Sequence, residues 1–556
     1  MGDLKILICV LIFSIKTVHS TKSKPHIVII IADDLGWNDV GFHGSNQIPT
    51  PNMDALAYNG VILNRFYTLP QCTPSRAALL TGQYPMRYGY QGIPILAGEN
   101  RFLPFQIPTL AKKLKELGYD THLIGKWHLG QGYRNATPGA HGFDNHFGYW
   151  NGFMGYFNHE ATGGNMVGLD MHHNDEPVWD TRGQYATDLI TEKSEEVIKG
   201  HNESKPLFLI VSHLAVHTGK GGVDLEVKDI AENNKKFGYI QDERRRMYAG
   251  MTDELDKSVG DTIKALAEKR ILDNTIIVFF SDNGAPTIGS ALLDNTGSNW
   301  PLRGQKFTVF DGGVRTVAMI YSEQLQNKGT INNELIHITD LMPTLYYAAG
   351  GDVASLGKID GINQWLTITK SEKSQRSEAL INIDEARNVS ALLTDGGRYK
   401  LINGSTVFSE VDGDFYGETG RDDSNPEYNT DDILHSSVNI LLRGNLTQEK
   451  ILNLRKQMEL KSCRKSTIDH DSCRYNSVCL FDLFEDPCET TNIANKFPEV
   501  TERMKSKLEK YWSEVKVQRK GFLDPNANPV YYNNTWYPWL EDTRCHVGDL
   551  RTILLS

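Results

Sequence analysis

His-Ile-Val-Ile-Ile-Ile-Ala-Asp-Asp, residues 26–34, is an unbroken apolar run that ends on two carboxylates. Its continuous β-branched character predicts a strand over 26–31 buried on both faces, the condition found in parallel sheets covered by helices. Similar runs at 121–124, 207–211, 275–280 and 317–321 read as further strands. Between them, helical periodicity marks 52–57, 75–81, 107–117, 189–199, 243–269 and 341–348. This alternation predicts an α/β fold with a large mixed, mostly parallel sheet flanked by helices. Beyond about residue 366 the texture changes. Charged, Gly- and Asn-rich stretches separate short strand candidates at 391–394, 399–402 and 478–483, and an amphipathic helix follows at 500–517. An N-terminal α/β domain is therefore expected over 21–365, with a smaller C-terminal α+β domain of antiparallel sheet plus helix over 366–556.

At 556 residues the chain exceeds what one hydrophobic core usually supports, which fits two domains. The net charge of -11 is spread along the chain and argues against nucleic acid as a partner. Lys5 precedes an apolar run at 6–15, and Val18-His19-Ser20 offers a small-residue cleavage site, so residues 1–20 read as a secretory signal. That run is short for a bilayer and no later stretch is long and apolar enough, so no membrane span is expected. A chain maturing near Thr21 would enter the secretory pathway, with lysosomal delivery and secretion both open. Sequons at Asn135, Asn202, Asn388, Asn403, Asn445 and Asn533 fit a glycoprotein. Cys463, Cys473, Cys479, Cys488 and Cys545 cluster near the C-terminus, where two disulfides and one remaining thiol are expected, their pairing open. A zinc site is the competing reading, but no histidine pattern accompanies the cluster. Apart from Cys9 in the signal, Cys72 stands alone in the first half.

Polar motifs fall where strands end. Asp33-Asp34 closes the first strand, and Asp282-Asn283 closes another. Lys126 and His128, in Gly-Lys-Trp-His-Leu-Gly, follow a third; His217 follows a fourth, with His213 as a nearby alternative. In open α/β sheets ligands bind outside the carboxyl ends of the strands, so four such ends predict one site. Asp33, Asp34, Asp282 and Asn283 are hard oxygen donors, a set suited to calcium or magnesium. For either pair alone the plainer reading is a turn sequence. In extended chain Lys126 and His128 would share a face while Trp127 points into the core. One further motif, Cys72-Thr-Pro-Ser-Arg76, runs into Ala-Ala-Leu-Leu-Thr-Gly. Pro74 suits a first helical turn, leaving Cys72 at a helix N-terminus that favours an anion. Arg76, one turn on, adds a charge that does not titrate away. The competing reading is a buried cysteine ahead of an ordinary helix.

These motifs carry a resemblance. Segments 32–37, 72–82, 125–130, 216–217, 281–284, 299–306 and 311–315 resemble type I sulfatases of the alkaline phosphatase superfamily, the arylsulfatase B group among them. Segment 480–487 resembles the strand and turn common in sulfatase C-terminal domains. The resemblance spans nearly the whole mature chain, and 72–76 is its most specific element. It implies an alkaline-phosphatase-like fold and a sulfuric ester hydrolase. It also implies that the formylglycine-generating enzyme oxidises Cys72 to formylglycine, whose hydrate is the nucleophile. A calcium ion held by Asp33, Asp34, Asp282, Asn283 and modified Cys72 would act as Lewis acid. Asp282 would help deprotonate the attacking hydroxyl, and Lys126, Lys306 and Arg76 would neutralise the transferring sulfuryl group. His217, with Lys306, would protonate the leaving alcohol, and His128 would then deprotonate the remaining hydroxyl to expel sulfate.

The implied substrate is a sulfated oligosaccharide or small molecule, with N-acetylgalactosamine 4-sulfate as the leading example. Other small sulfates, glucosinolates included, stay open. Segment 91–105 lacks the paired cysteines of the arylsulfatase B group, and 142–159 has an aromatic, Gly- and Asn-rich pattern of its own. A phosphatase or phosphonate hydrolase of the same superfamily is an alternative, disfavoured by the 72–76 signature and by the lack of extra histidines for a two-zinc site. A non-catalytic binding protein would show losses among these residues, and there are none.

Overall fold

A computed structural model of the chain describes residues 23–219, 224–287, 295–404, 424–460, 473, 477–519 and 521–540. The expected signal at 1–20, Cys463 and Cys545 lie outside the described residues.

The run at 26–34 forms the centre of the molecule. His26–Ala32 is a strand buried at every position. It pairs in parallel with Leu207–Ser212 on one side and Thr275–Ser281 on the other. Asp120–Gly125 and then Asn145–Gly148 continue in parallel beyond Leu207–Ser212. The whole sheet has ten strands. Their order is Thr330–Asn332, Val61–Leu63, Ala318–Tyr321, Thr275–Ser281, His26–Ala32, Leu207–Ser212, Asp120–Gly125, Asn145–Gly148, His172–His173 and Glu176–Pro177. Ala318–Tyr321 and the two short strands at the far edge pair antiparallel, so the sheet is mixed around a parallel centre.

Val28, Ile30 and Ala32 face one core, and Ile27, Ile29 and Ile31 face the other. Fully burying an isoleucine is worth roughly 1.5–3 kcal/mol, and a strand apolar on both faces gains this only in the middle of a covered sheet. Pro51–Asn59, Ala186–Gly200 and Glu243–Glu268 cover the first face; Cys72–Thr81, Leu110–Glu116 and Leu341–Ala348 cover the second. The long helix starts where the Asp242 side chain accepts a hydrogen bond from the Arg245 N–H.

A separate antiparallel sheet is built from Ala379–Asp384, Val389–Thr394, Tyr399–Gly404 and Ser477–Asp482. One face packs on Met504 and Leu508 of the helix Pro498–Ser513. The other meets Tyr67, Phe310 and Val314 from the first two thirds of the chain. The later chain also returns to the large sheet, where Ile433, Val438, Ile451 and Leu454 join the core beneath Pro51–Asn59. Cys473 is bonded to Cys479, Cys488 is also in a disulfide, and among the described residues Cys72 is the free cysteine.

Between the two sheets lies a fully buried charge cluster. Lys400 Nζ stands 2.9 Å from both Asp311 Oδ1 and Glu489 Oε1. Tyr67 donates its hydroxyl to Asp311 Oδ2 at 3.1 Å, and the Asp311 N–H donates to Glu489 Oε2 at 2.6 Å.

Candidate active site

Four neighbouring parallel strands end on one edge, and sheet-like hydrogen bonding runs past those ends. Asp33 N–H donates to the Ala215 carbonyl, Lys126 N–H to Ser212, and Asp282 N–H to Ala32. The residues after each strand are therefore held in register, not left in free loops. Asp34 leaves the first strand at φ 65°, a left-handed conformation that Asp tolerates better than most residues.

The helix Cys72–Thr81 approaches the same edge, with Cys72 as its first residue and 2 % exposed. Gly82, at φ 64°, ends it by donating its N–H to the Ala78 carbonyl. The Phe307 N–H donates to the Pro70 carbonyl, which brings the Lys306 loop beside the start of this helix.

The predicted residues meet. Lys126 Nζ lies 2.6 Å from Asp33 Oδ2, and Lys306 Nζ lies 2.7 Å from Asp34 Oδ1. Arg76 holds Asp282 Oδ2 through Nε at 3.0 Å and Nη2 at 2.9 Å. Asn283 donates its amide to Asp34 Oδ1 at 2.6 Å, and Cys72 Sγ stands 3.6 Å from Asp33 Oδ1. His217 Nε2 is 3.5 Å from Asp34 Oδ2, and its Nδ1 faces the Thr218 carbonyl at 2.7 Å. The carbonyl makes Nδ1 the donor and turns Nε2 to the site. His128 Nε2 faces the Ile95 carbonyl at 2.8 Å, while its buried Nδ1 has no hydrogen-bond partner. His213 is elsewhere, with Nε2 3.0 Å from Ser258 Oγ on the long helix. That geometry separates the two histidines that the sequence left open.

One expectation needs correction. The chain does not stay extended past Lys126, because His128 sits at φ 58°. Trp127 is nevertheless buried, its indole N–H donating to the Gly130 and Ala136 carbonyls. Those two bonds set the turn that presents His128.

The electrostatics follow from burial among mixed charges. Burial raises the Asp33 carboxyl, but Lys126, His217 and Arg76 outweigh it and hold the group below the ordinary range. Burial would neutralise Lys306, yet Asp34, Cys72 and Asp33 keep it charged, with its pKa raised. Burial and the Lys126 charge push His128 well below its usual value, so it is neutral. Burial lowers His217 while Asp34 works against it. Burial pushes the Cys72 thiol up to about 12, so the unmodified side chain is a thiol and a poor nucleophile.

Ligand atoms of Asp33, Asp34, Cys72 and His217 lie within 4.8 Å of one another. His217, for which the family resemblance implies only proton transfer, thus joins this cluster. Asp282 is drawn toward Arg76 instead. Ser212, whose hydroxyl accepts from Arg76 Nη1 at 2.6 Å, also belongs to the site, and its only signal in the sequence is its place at a strand end.

Cations gathered around carboxylates at the start of a helix, on the carboxyl edge of a helix-covered sheet, suit a small tetrahedral anion and make this the candidate site. Residues 25–351 match the family model described as Sulfatase, and the chain belongs to the sulfatase family, as a sulfuric ester hydrolase of type I. Arylsulfatase J of Mus musculus is 33% identical over 527 residues, covering 94% of this chain and 81% of its own. N-acetylgalactosamine-6-sulfatase of Homo sapiens is 30% identical over 379 residues, 63% of this chain and 67% of its own. The crystal structure of Ps i-CgsB superposes with a TM-score of 0.69 at 26% identity, over 92% of this chain and 98% of that one. Among the described residues, no helix is long and apolar enough to cross a membrane.

Proposed function

We propose that this sulfatase works through a formylglycine made from Cys72, with one calcium ion held by Asp33, Asp34, Asp282, Asn283 and residue 72. The observation that carries the reading is Cys72 itself, buried at a helix start beside Asp33 and within the fields of Lys126 and Lys306. The residues fit the ion. Their oxygens are hard donors, and Asn283 Oδ1 is buried with no hydrogen-bond partner, an acceptor that a cation would satisfy. When bound, the ion supplies Lewis acidity toward a sulfate oxygen, and the modified side chain supplies the attacking hydroxyl.

The chain's own residues do the rest. Asp282 accepts the proton of the attacking hydroxyl. Lys126, Lys306 and Arg76 neutralise charge on the sulfuryl group. His217, in its imidazolium form with Asp34 facing Nε2, donates the Nε2 proton to the leaving alcohol and is left as the Nδ1–H tautomer, with Lys306 beside it. His128 accepts a proton at Nδ1, the nitrogen left free by the Ile95 carbonyl, and so helps to release sulfate.

The ester is proposed to be a sulfated sugar of the N-acetylgalactosamine 4-sulfate kind, with other small sulfates such as glucosinolates second. A relative that bears the name N-acetylgalactosamine-6-sulfatase supports the sugar reading. Maturation by the formylglycine-generating enzyme and a lysosomal or secreted destination belong to the same proposal. All six sequon asparagines are exposed or half-exposed, as glycosylation requires. The domain partition, 21–365 catalytic and 366–556 supporting, belongs to the same proposal.

The test is sulfate release from 4-nitrophenyl sulfate, a terminal N-acetylgalactosamine 4-sulfate oligosaccharide and a glucosinolate. Preference for the oligosaccharide supports the sugar reading, and preference for the glucosinolate overturns it.

A further inference from the structure

We infer that the turn Asn151-Gly152-Phe153 is the specificity-determining lip of this site, and that Phe153 stacks on the ring that bears the leaving oxygen. The inference deepens the sulfatase reading and rests on it for the ester that is cleaved.

The turn spans the two histidines assigned to proton transfer. A Cβ on Gly152 would stand 2.8 Å from His128 Cε1 and 2.9 Å from Nε2, so this position accommodates no side chain. The half-buried Phe153 ring lies parallel to His217, with 5.3 Å between centroids and 14° between planes. The free part of its face therefore borders the place where His217 would meet a leaving alcohol.

The lip is rigid. Buried Asp170 accepts hydrogen bonds from the Trp150 N–H at 3.2 Å, the Asn151 N–H at 2.9 Å and Asn151 Nδ2 at 2.9 Å. Asn151 Nδ2 also donates to Gln131 Oε1 at 3.0 Å. Behind it Trp150 stacks on His172 at 3.6 Å between centroids. Side chains held this way meet a ligand with little ordering cost.

On another flank Ile93 and Leu96 are 50% and 48% exposed. They bracket Ile95, which touches the site through its carbonyl at His128 and its N–H, donated to Thr73 Oγ1 at 3.1 Å. Neither 150–154 nor 91–97 contains a charged residue, and the charged side chains that bond to their backbones, Asp170 and Arg101, are buried. A lip of this composition reads a ring by its flat apolar face, as a phenol or a pyranose presents, in preference to an acyclic alkyl chain.

The experiment compares wild type with Phe153→Ala, Phe153→Leu and Phe153→Trp on 4-nitrophenyl sulfate, terminal N-acetylgalactosamine 4-sulfate and butyl sulfate. Phe153→Ala and Phe153→Leu should raise KM for ring substrates by about threefold to tenfold, the range of an aromatic stacking contact. Butyl sulfate should be unaffected, and Phe153→Trp should behave as wild type. The aryl and sugar arms show which ring is read. Equal KM changes on ring and acyclic esters would overturn the inference. So would a uniform loss of kcat with a displaced pH profile, which would make Phe153 only a packing partner of His217. Calorimetric binding of 4-nitrophenyl sulfate and butyl sulfate to the Cys72→Ala protein, with and without Phe153→Ala, decides the same point without turnover. Wild-type silence on every ester, with residue 72 oxidised, would overturn the proposed substrate and not the family, while the calorimetry would still judge the lip.

Discussion

Two buried charge clusters in this molecule use the same residue types. At the edge of the large sheet, Asp33, Asp34 and Asp282 are paired with Lys126, Lys306 and Arg76. Between the sheets, Asp311 and Glu489 share Lys400. Both are fully buried and both are ion-paired. They differ in what is left over. The first retains unpartnered acceptors at Asn283 Oδ1 and His128 Nδ1 beside a lone cysteine. In the second, the one acceptor outside hydrogen bonding, Glu489 Oε1, faces Lys400 Nζ at 2.9 Å. The other oxygens take Lys400, a backbone N–H and a tyrosine hydroxyl, and no free cysteine is among its residues. A buried ion pair is by itself weak evidence of anything. Acceptors with no cation opposite them, beside a free cysteine, mark the cluster proposed to work.

The comparison can be broken at its working end first. His217→Ala should cost about 10²–10⁴ in kcat on a sugar sulfate, the range for a lost general acid. On 4-nitrophenyl sulfate, whose leaving group needs little protonation, the loss should be far smaller. Equal losses on both would remove His217 from that role. Lys126→Ala should lower kcat by about 10²–10³, as the loss of a charge-stabilising donor does, and steady-state kinetics at saturating substrate check it.

At the other cluster, Lys400→Met should leave Glu489 without its cation and Asp311 with Arg315 alone, 3.6 Å away, and cost about 3–5 kcal/mol of stability, read from urea unfolding. The enzyme that remains folded should turn over normally. If instead its kcat collapsed, the division between working and structural clusters would fail.

A smaller effect concerns pH. Burial above all holds His43, His141, His172 and His213 near 3 and His26, His146 and His159 near 4. Each takes up its proton in the unfolded chain from about pH 6.5, so the stability it contributes above that pH is lost as pH falls toward 4. Asp54 and Asp170, raised by burial to about 6, and Asp256, raised to about 7, act in the opposite sense and gain stability as pH falls from 7. The imidazoles outnumber these carboxyls, so Tm should fall between pH 6.5 and 4. A rising Tm over that interval would contradict the assignment.

The centre of the fold was legible because its apolar runs admit one reading. The strand expected at 26–31 is His26–Ala32, and the helix expected at 341–348 is Leu341–Ala348. Edge strands such as His172–His173 and Glu176–Pro177 are too short to show a period. The site was legible where charged residues follow an apolar run abruptly, as at Asp33 and Asp282. His213 and His217 could not be separated, since both follow the same strand and only packing sends one to the long helix. Phe153 gave no signal within an aromatic-rich segment; its meaning lies in the 14° between its ring and His217.

Residue 72, in its oxidised form, is the proposed nucleophile. The most direct test is sulfate release by wild type and Cys72→Ala, both produced with the cysteine-oxidising enzyme, alongside the mass of the peptide containing residue 72. The account predicts an aldehyde at that position in wild type, with no turnover and an unchanged Tm in the variant. Full sulfate release by Cys72→Ala, or an active wild type carrying an unmodified thiol, would contradict it.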